Sequence, residues 1–158
     1  AGIIGLGVSG RMIADALAFM GANVCYYSRS RKPDAENAGI AYMPLDDLLA
    51  RSEVVFTCLN KNVLLLGERE FGILGEGKVL FNTSIGPGFD SAALERWLDL
   101  PSTHFFCDTK PAAGPVAEGF FSRPNVHCPG VSAGRTQQAF VLLSQKVLAN
   151  IQTALREM

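Results

Sequence analysis

Short apolar runs of strand length recur along the chain, with turns and polar segments between them. Runs that are apolar throughout, instead of alternating, are typical of strands buried on both faces of a sheet. We predict strands at six places, namely residues 2–5, 23–27, 54–59, 79–82, 104–107 and 126–128.

Helical patterns lie between the early strands. Residues 45–51, which begin after Pro44, and residues 91–98, with Asp90 as the N-cap, form two short predicted helices. The alternation of strands and helices predicts an α/β fold of the Rossmann type, a doubly wound parallel sheet in three α/β/α layers. The first predicted helix has its apolar residues on one face, and these are Met12, Ile13, Ala16, Leu17 and Met20.

Two segments near the C-terminus have a different character. Residues 110–124 are rich in Gly, Pro and Ala without any period, which predicts a long loop of the kind that often has a function. After this loop, apolar residues at helical spacing predict a long amphipathic helix. We expect this helix to pack on the domain's own sheet, with a missing domain or a second subunit as alternatives. Its apolar residues are Phe140, Leu143, Val147, Leu148, Ile151 and Leu155.

The composition describes one globular domain over residues 1–158, with 48% hydrophobic and 18% charged residues. The net charge of −1 provides no field that would attract nucleic acid or anionic lipid. The longest aliphatic run, residues 63–66, is too short to cross a bilayer. The four cysteines form no CxxC pair, so we predict small buried side chains in a cytoplasmic protein, without a metal site.

Three glycines follow the first predicted strand with G-x-G-x-x-G spacing, and these are Gly5, Gly7 and Gly10 in GLGVSG. A strand before the turn and a helix after it are the context of a dinucleotide-binding turn. Gly5 permits the tight turn, Gly7 lets the backbone approach a pyrophosphate, and Gly10 allows helix and strand to pack closely. The phosphates would lie at the positive end of the helix. The alternative is a turn without a ligand, but such a turn needs only one glycine.

A basic loop follows the second predicted strand and contains Ser28, Arg29, Ser30, Arg31 and Lys32. Dinucleotide-binding domains usually carry Asp or Glu at the position of Ser28, where the carboxylate binds the ribose hydroxyls. A carboxylate repels a 2′-phosphate, whereas a hydroxyl followed by guanidinium groups binds one. We therefore predict NADP(H) as the preferred cofactor over NAD(H), with a solvated basic loop as the alternative.

Four stretches resemble the cofactor-binding domain of the D-isomer-specific 2-hydroxyacid dehydrogenases, and in particular their NADP-using glyoxylate/hydroxypyruvate reductase branch. IIGLGVSGRMIADALAFMGANVCYYSRSRKP resembles the family's first βαβ unit, and LDDLLARSEVVFTCLN resembles its third helix and fourth strand. GKVLFNTSIGPGFDSAAL resembles the strand that ends in asparagine and threonine, and FFSRPNVHCPGVSAGRTQQA resembles the last strand and the entry to the final helix.

This resemblance implies hydride transfer between a nicotinamide cofactor and a small 2-hydroxy or 2-keto acid or a related carbonyl. It also implies a homodimer, and a domain inserted in a longer chain whose substrate domain is absent here; a first residue already inside a strand agrees with this expectation. The cofactor positions carried over from the family are Gly5, Gly7, Val8, Ser9, Gly10, Ser28, Arg29, Ser30, Cys58, Leu59, Asn60, Thr83, Ser84 and Asp108.

The catalytic positions of the family are not retained. The resemblance places Ile85 where the family has a substrate-binding arginine, Gly130 where it has a histidine, and Pro111 near its glutamate. An alkyl side chain does not bind an anion, and glycine does not transfer a proton. An enzyme with a non-standard acid or base is therefore our first hypothesis, and a non-catalytic dinucleotide sensor or scaffold is the second. A relative of the β-hydroxyacid dehydrogenases is the third.

Charged side chains on the loops expected at the cleft are candidate substitutes. Lys110 would anchor a carboxylate, or donate a proton if its pKa were lowered, and Glu118 and Arg135 lie on loops of the same kind. Each of them is more ordinarily a solvated charge. His104 and His127 lie in predicted strands and are interpreted as packed histidines.

Overall fold

A single parallel sheet organises the chain in the computed structural model, which describes residues 1–61, 63–132 and 134–156. Its strands are β1 Gly2–Ile4, β2 Cys25–Tyr27, β3 Ala41–Tyr42, β4 Val54–Thr57, β5 Val79–Asn82, β6 His104–Cys107 and β7 Val126–His127. The helices are α1 Val8–Phe19, α2 Pro33–Asn37, α3 Leu45–Arg51, α4 Glu68–Leu74, α5 Ser91–Trp97 and α6 Gln137–Arg156. The strand order is β3-β2-β1-β4-β5-β6-β7, and each pairing is parallel.

Helices cover both faces of this sheet, so the predicted three-layer architecture is confirmed. On one face, α3, α4 and α5 bury a large apolar cluster that includes Leu48, Phe71 and Trp97. On the other face, α1 and α2 bury a smaller cluster around Ala14 and Ala35. In β4, β5 and β6 one face is buried and the other is half-buried, where Phe56, Phe81 and Phe106 stack on one another. Apolar residues at both sets of positions explain why the strands read as apolar runs without alternation.

Three elements were missed by the sequence analysis, namely α2, β3 and α4. The predicted loop at residues 110–124 also contains two short 3-10 helices, Lys110–Ala113 and Phe120–Ser122. In these helices Ala112, Ala113 and Phe120 are buried. Small residues and a single aromatic ring pack here without any periodicity, so the pattern alone did not reveal them.

The predicted apolar face of α1 is only partly buried. Ala14 is fully buried and Ile13 and Leu17 pack against the core, but Met12 and Met20 are 67% and 71% exposed. The core face follows Gly10 and Ala14, since small residues let the helix approach the sheet closely.

The prediction that the C-terminal helix packs on the domain's own sheet is wrong. No described residue of α6 is buried, and Phe140, Leu148 and Leu155 are each about 60% exposed or more. Amphipathic spacing predicts that one face of a helix is covered, but it does not identify the element or molecule that covers it. The two alternatives given above, another domain or a second subunit, therefore remain for this surface.

The four cysteines are free thiols. Cys107 is buried, whereas Cys25, Cys58 and Cys128 are half-buried, so full burial is confirmed for Cys107 alone. Burial, with a smaller effect of the neighbouring Cys128, raises the pKa of Cys107 to about 12. Cys107 is therefore a neutral thiol near neutral pH and packs as a small apolar side chain.

Candidate functional site

The strand order creates a crevice where the chain direction across the sheet reverses. β1 lies between β2 and β4, and the helices that follow β1 and β4 cover opposite faces of the sheet. The loops after these two strands therefore part at the carboxyl edge, which is where ligands bind in open α/β sheets. The Cys58 N–H donates to the Ile4 carbonyl at 2.8 Å and holds the start of one loop beside the other.

Gly5 and Gly10 are required by the turn itself. Gly5 has a φ of +96°, and a Cβ atom there would lie 2.5 Å from the Cys58 carbonyl oxygen. A Cβ atom on Gly10 would lie 2.1 Å from the Gly5 carbonyl oxygen. Side chains at these two positions would collide with backbone atoms, so the glycines permit the tight turn and the close approach of α1.

Gly7 is not required by the turn. Its φ of −87° suits any residue, and a Cβ atom there would meet no atom within 4 Å. Gly7 is the N-cap of α1, yet no side chain caps the helix, and the first N–H groups of any helix have no partner within the helix itself. Val8 and Ser9 in this first turn are exposed. The open space and the uncapped N–H groups fit a bound pyrophosphate.

The end of β2 contains two arginines in different situations. Arg31 is paired with Glu36, lowers the pKa of that carboxylate by hydrogen bonding, and lies 5.2 Å from the ring centroid of Tyr42. Arg29 is exposed and makes no ion pair or side-chain hydrogen bond with the described part of the chain. The Ser28 hydroxyl donates to the Ser30 carbonyl at 2.5 Å, which closes a tight turn around Arg29.

Polar side chains connect the ends of β4 and β5. The Thr83 hydroxyl donates to the Thr57 carbonyl at 3.0 Å and lies 3.2 Å from the Cys58 sulfur, and Thr83 is exposed. Burial raises the pKa of the Cys58 thiol. Ser84 is buried, and its hydroxyl accepts from the Leu59 N–H at 2.9 Å and donates to the Thr57 carbonyl at 3.2 Å. The Ser84 hydroxyl is therefore engaged within the protein, while that of Thr83 lies at the surface.

The remaining predicted cofactor residues also lie at this carboxyl edge. Leu59 is half-buried and Asn60 is exposed, directly after β4. Asp108 follows β6 directly, is half-buried, and accepts a hydrogen bond from the Thr109 hydroxyl at 3.1 Å. Parallel strands end at the same edge, so the fold brings all the predicted cofactor residues to one side of the sheet.

The three positions that the resemblance assigns to catalysis contain no titratable side chain. Ile85 is 78% exposed in the loop after β5, and Pro111 is exposed in the first 3-10 helix. Gly130 follows β7 with a φ of +76°, and a Cβ atom there would meet no atom within 4 Å, so it serves as a turn. None of these residues transfers a proton or binds a carboxylate through its side chain.

The charged substitutes lie at exposed positions, and Lys110 begins the first 3-10 helix. The Lys110 ammonium is 5.5 Å from the ring centroid of Phe121, an attractive cation–π contact. Glu118 and Arg135 are exposed. The His104 and His127 rings are 3.3 Å apart at their nitrogens and pack on the sheet, which agrees with the interpretation of packed histidines.

One residue at this edge of the sheet was not singled out by the sequence analysis. Asn82, the last residue of β5, is buried and hydrogen-bonded to three separate segments of the chain. The available signal was a polar residue at the end of an apolar run, but its partners are distant in the sequence. Only the fold could identify them.

The strand order, the crevice and the glycine turn together define a dinucleotide-binding domain. Residues 1–128 match the model of the D-isomer specific 2-hydroxyacid dehydrogenase NAD binding domain, and this chain belongs to that family. The membership confirms the resemblance seen in the sequence and favours it over the β-hydroxyacid dehydrogenases.

Individual relatives agree with this assignment. The chain is 35% identical over 101 residues to a glyoxylate reductase from Thermococcus litoralis. The aligned segment covers 61% of this chain and 30% of the relative. It is also 35% identical over 101 residues to 4-methyl-2-oxopentanoate reductase A from Aspergillus oryzae, covering 62% and 31%. The matched part is thus about a third of the length of these curated relatives.

Solved structures match nearly the whole chain. A glyoxylate reductase from Paecilomyes thermophila is 28% identical with a TM-score of 0.79, covering 97% of this chain and 48% of that one. The NAD-complexed D-isomer specific 2-hydroxyacid dehydrogenase from Lactobacillus delbrueckii ssp. bulgaricus has a TM-score of 0.83 at 22% identity, covering 99% and 53%. The latter match supports the fold alone.

Proposed function

We propose that this domain binds a nicotinamide dinucleotide in the crevice between the loops after β1 and β4. The observation that carries the proposal is the open, uncapped backbone at Gly7, since nothing in the turn itself requires glycine at that position. As part of a longer protein, the domain would serve an NAD(P)-dependent oxidoreductase acting on a small 2-hydroxy or 2-keto acid or a related carbonyl. The names of the glyoxylate and 4-methyl-2-oxopentanoate reductases support that reaction class.

The proposed residue roles follow the carboxyl edge of the sheet. The N–H groups at the start of α1, from Gly7 to Gly10, hold the pyrophosphate, and Ser28, Arg29 and Ser30 meet the adenosine ribose. The other contacts are proposed from the resemblance: Cys58, Leu59 and Asn60 over the adenosine, Thr83 at the nicotinamide ribose, and Asp108 at the carboxamide. When bound, the nicotinamide supplies the hydride chemistry. Ser84 acts from below, by holding the Leu59 N–H.

A preference for NADP(H) over NAD(H) is part of the proposal. Arg29 has no partner within the described residues, whereas Arg31 is occupied by Glu36 and Tyr42. A free guanidinium binds a 2′-phosphate by charge-assisted hydrogen bonds, and the end of β2 carries Ser28 where a carboxylate would repel that phosphate.

A non-catalytic dinucleotide sensor or scaffold is the second candidate. The specific observation in its favour is that Ile85, Pro111 and Gly130 provide no acid, base or anion-binding group. Lys110 and Glu118 are the charged residues that an enzyme could use instead within this domain. An experiment on the full-length protein distinguishes the two: turnover of NADPH with a panel of 2-keto acids and aldehydes indicates an enzyme, and binding without turnover indicates a sensor.

Cofactor binding is tested directly by calorimetric titration of the protein with NADPH and with NADH. We expect saturable 1:1 binding of both, with the tighter binding for NADPH because only NADPH presents a 2′-phosphate to Arg29. If neither dinucleotide binds at millimolar concentration, the proposed function is overturned. If NADH binds more tightly, only the assignment of the basic loop fails.

We propose that the exposed apolar surface of α6 is covered by the same helix of a second copy of this chain, in a homodimer. Eight apolar side chains of α6 are each between 46% and 67% exposed, from Phe140 to Leu155. A stable interface buries roughly 800 Å² per partner, and monomers rarely leave a long row of large apolar side chains in water. Two copies of one helix provide identical apolar stripes, as a two-fold interface requires.

Leu148→Lys is expected to convert the dimer to a monomer, because a lysine at the centre of the stripe would have to be buried without a partner. Light scattering after size exclusion should show about twice the 16.9 kDa chain mass for the wild type, and 16.9 kDa for the variant. Thr153→Lys, exposed on the same helix but off the row of Phe140, Val147, Ile151 and Leu155, is the matched control and should stay dimeric. A wild-type protein that is monomeric at every concentration would point instead to a different domain as the cover for α6.

The compartment is proposed from the thiols. All four cysteines are free, which supports a reducing environment such as the cytoplasm. Within the described residues, no helix has the length and apolarity that a bilayer crossing requires.

A further inference from the structure

The Asn82 side chain uses its full hydrogen-bonding capacity inside the protein. Its Oδ1 accepts from the Thr57 hydroxyl at 2.9 Å and from the Ser84 N–H at 3.0 Å. Its Nδ2 donates to the Gly86 carbonyl at 3.1 Å and to the Ala112 carbonyl at 2.7 Å. Asn82 is 3% exposed, so water does not replace any of these partners readily.

These partners belong to three different segments at the carboxyl edge. Thr57 ends β4, Ser84 and Gly86 lie in the loop after β5, and Ala112 lies in the 3-10 helix after β6. The Ser91 hydroxyl adds a further link from α5 to the same 3-10 helix, by donating to the Ala113 carbonyl at 2.9 Å. Asn82 is the one side chain among the described residues that contacts all three segments by hydrogen bonds.

We propose that Asn82 is a positioning residue. Its hydrogen bonds fix the positions, relative to one another, of the loops that surround the nicotinamide half of the cofactor. This inference rests on the proposed function. The loops that Asn82 joins contain Thr83 and, through the 3-10 helix, the surroundings of Asp108. The end of β2, where the 2′-phosphate is proposed to bind, lies on the far side of β1, and none of the Asn82 contacts reaches it. Toward the loop after β4, which lies over the adenosine, Asn82 contributes only its Oδ1 contacts, to Thr57 and to the Ser84 N–H.

The amide is needed because its two ends have opposite roles. An aspartate would keep the two acceptor contacts at Oδ1 but would face the Gly86 and Ala112 carbonyls with an oxygen instead of an N–H. Two buried hydrogen bonds would be lost and replaced by repulsion between oxygen atoms. The 3-10 helix and the loop after β5 would therefore move away from each other.

The test compares a whole dinucleotide with its adenosine half alone. Asn82→Asp should bind NADPH about tenfold more weakly than the wild type, while its affinity for adenosine 2′,5′-bisphosphate stays within about twofold. The second ligand contains the adenosine and 2′-phosphate but no nicotinamide, so of the loops that Asn82 joins it meets only the one after β4. Asn82→Asp keeps the Oδ1 contacts on that side and loses the contacts to Gly86 and Ala112. A general loss of stability would weaken both ligands alike.

Asn125→Asp is the matched control. The Asn125 amide also donates to two backbone carbonyls, Leu98 at 2.9 Å and Thr103 at 3.0 Å, but it precedes β7, at the opposite edge of the sheet. Asn125→Asp also removes two amide hydrogen bonds to backbone carbonyls, but away from the site. It should therefore leave the affinities for NADPH and for the bisphosphate unchanged. Thr57→Val, which keeps the side-chain shape but removes one donor to Asn82, provides a milder variant if Asn82→Asp does not fold.

The outcomes separate this inference from the proposed function. If the wild type binds no dinucleotide, the proposed function fails. If the wild type binds both ligands but Asn82→Asp, or Thr57→Val in its place, binds NADPH as tightly as the wild type, the positioning role is overturned. Equal weakening of NADPH and of the bisphosphate overturns it as well, because it would indicate a purely structural role.

Discussion

Replacement of Gly7 by leucine is expected to weaken NADPH binding by about three orders of magnitude, or about 4 kcal/mol, while the protein remains folded. The backbone at Gly7 has φ of −87°, which leucine adopts, and no atom lies within 4 Å of its Cβ position. The cost to stability is limited to an N-cap less favourable than glycine, about 1 kcal/mol. The leucine side chain would fill the space that a pyrophosphate needs above the first turn of α1.

Two comparison variants make this result specific. Gly10→Ala should also abolish binding, but by unfolding the turn, since its Cβ would lie 2.1 Å from the Gly5 carbonyl oxygen. We expect a loss of about 2–4 kcal/mol of stability there, measured by urea denaturation. Gly72→Leu, in α4, also has open space around the Cβ position and should bind NADPH like the wild type. Normal binding by a folded Gly7→Leu would contradict the proposed site.

Arg29→Asp is expected to reverse the cofactor preference. An aspartate would repel the 2′-phosphate of NADPH and accept hydrogen bonds from the ribose hydroxyls of NADH. We expect NADPH affinity to fall about 100-fold, or about 2.7 kcal/mol, with NADH affinity unchanged or higher. Arg29 is exposed and unpaired within the described residues, so the fold should not be affected. Fluorescence titration with each cofactor measures the ratio.

Arg51→Asp controls for the change in net charge. Arg51 is exposed in the last turn of α3, and the substitution changes the charge of the protein by the same amount. Its effect on the NADPH/NADH ratio should be small, because charges more than about 10 Å apart in water are largely screened at 0.1 M salt. An unchanged NADPH/NADH affinity ratio in Arg29→Asp, or an equal change of this ratio in both variants, would show that the basic loop does not bind the 2′-phosphate.

The cofactor site illustrates where local pattern suffices. Gly5 and Gly10 are constrained by neighbouring backbone, because Gly5 has a φ of +96° and a Cβ atom on Gly10 would lie 2.1 Å from the Gly5 carbonyl oxygen. Steric limits on that turn act over a few residues, so the sequence predicts them directly. The two arginines of the basic loop show the opposite case. Arg29 and Arg31 look alike in sequence, and only Glu36 and Tyr42 distinguish the occupied arginine from the free one.

By itself, the sequence determined the parallel α/β architecture, six of the strands and the glycine turn, because periodicity and turn sterics are local properties of the chain. The exposure of Met12 and Met20, the uncovered surface of α6 and the contacts of Asn82 with three segments became visible only in the folded chain. Each of these depends on which residues from distant parts of the chain meet at one place. A single sequence contains no direct record of such contacts, since burial and hydrogen bonding are settled only when the elements pack.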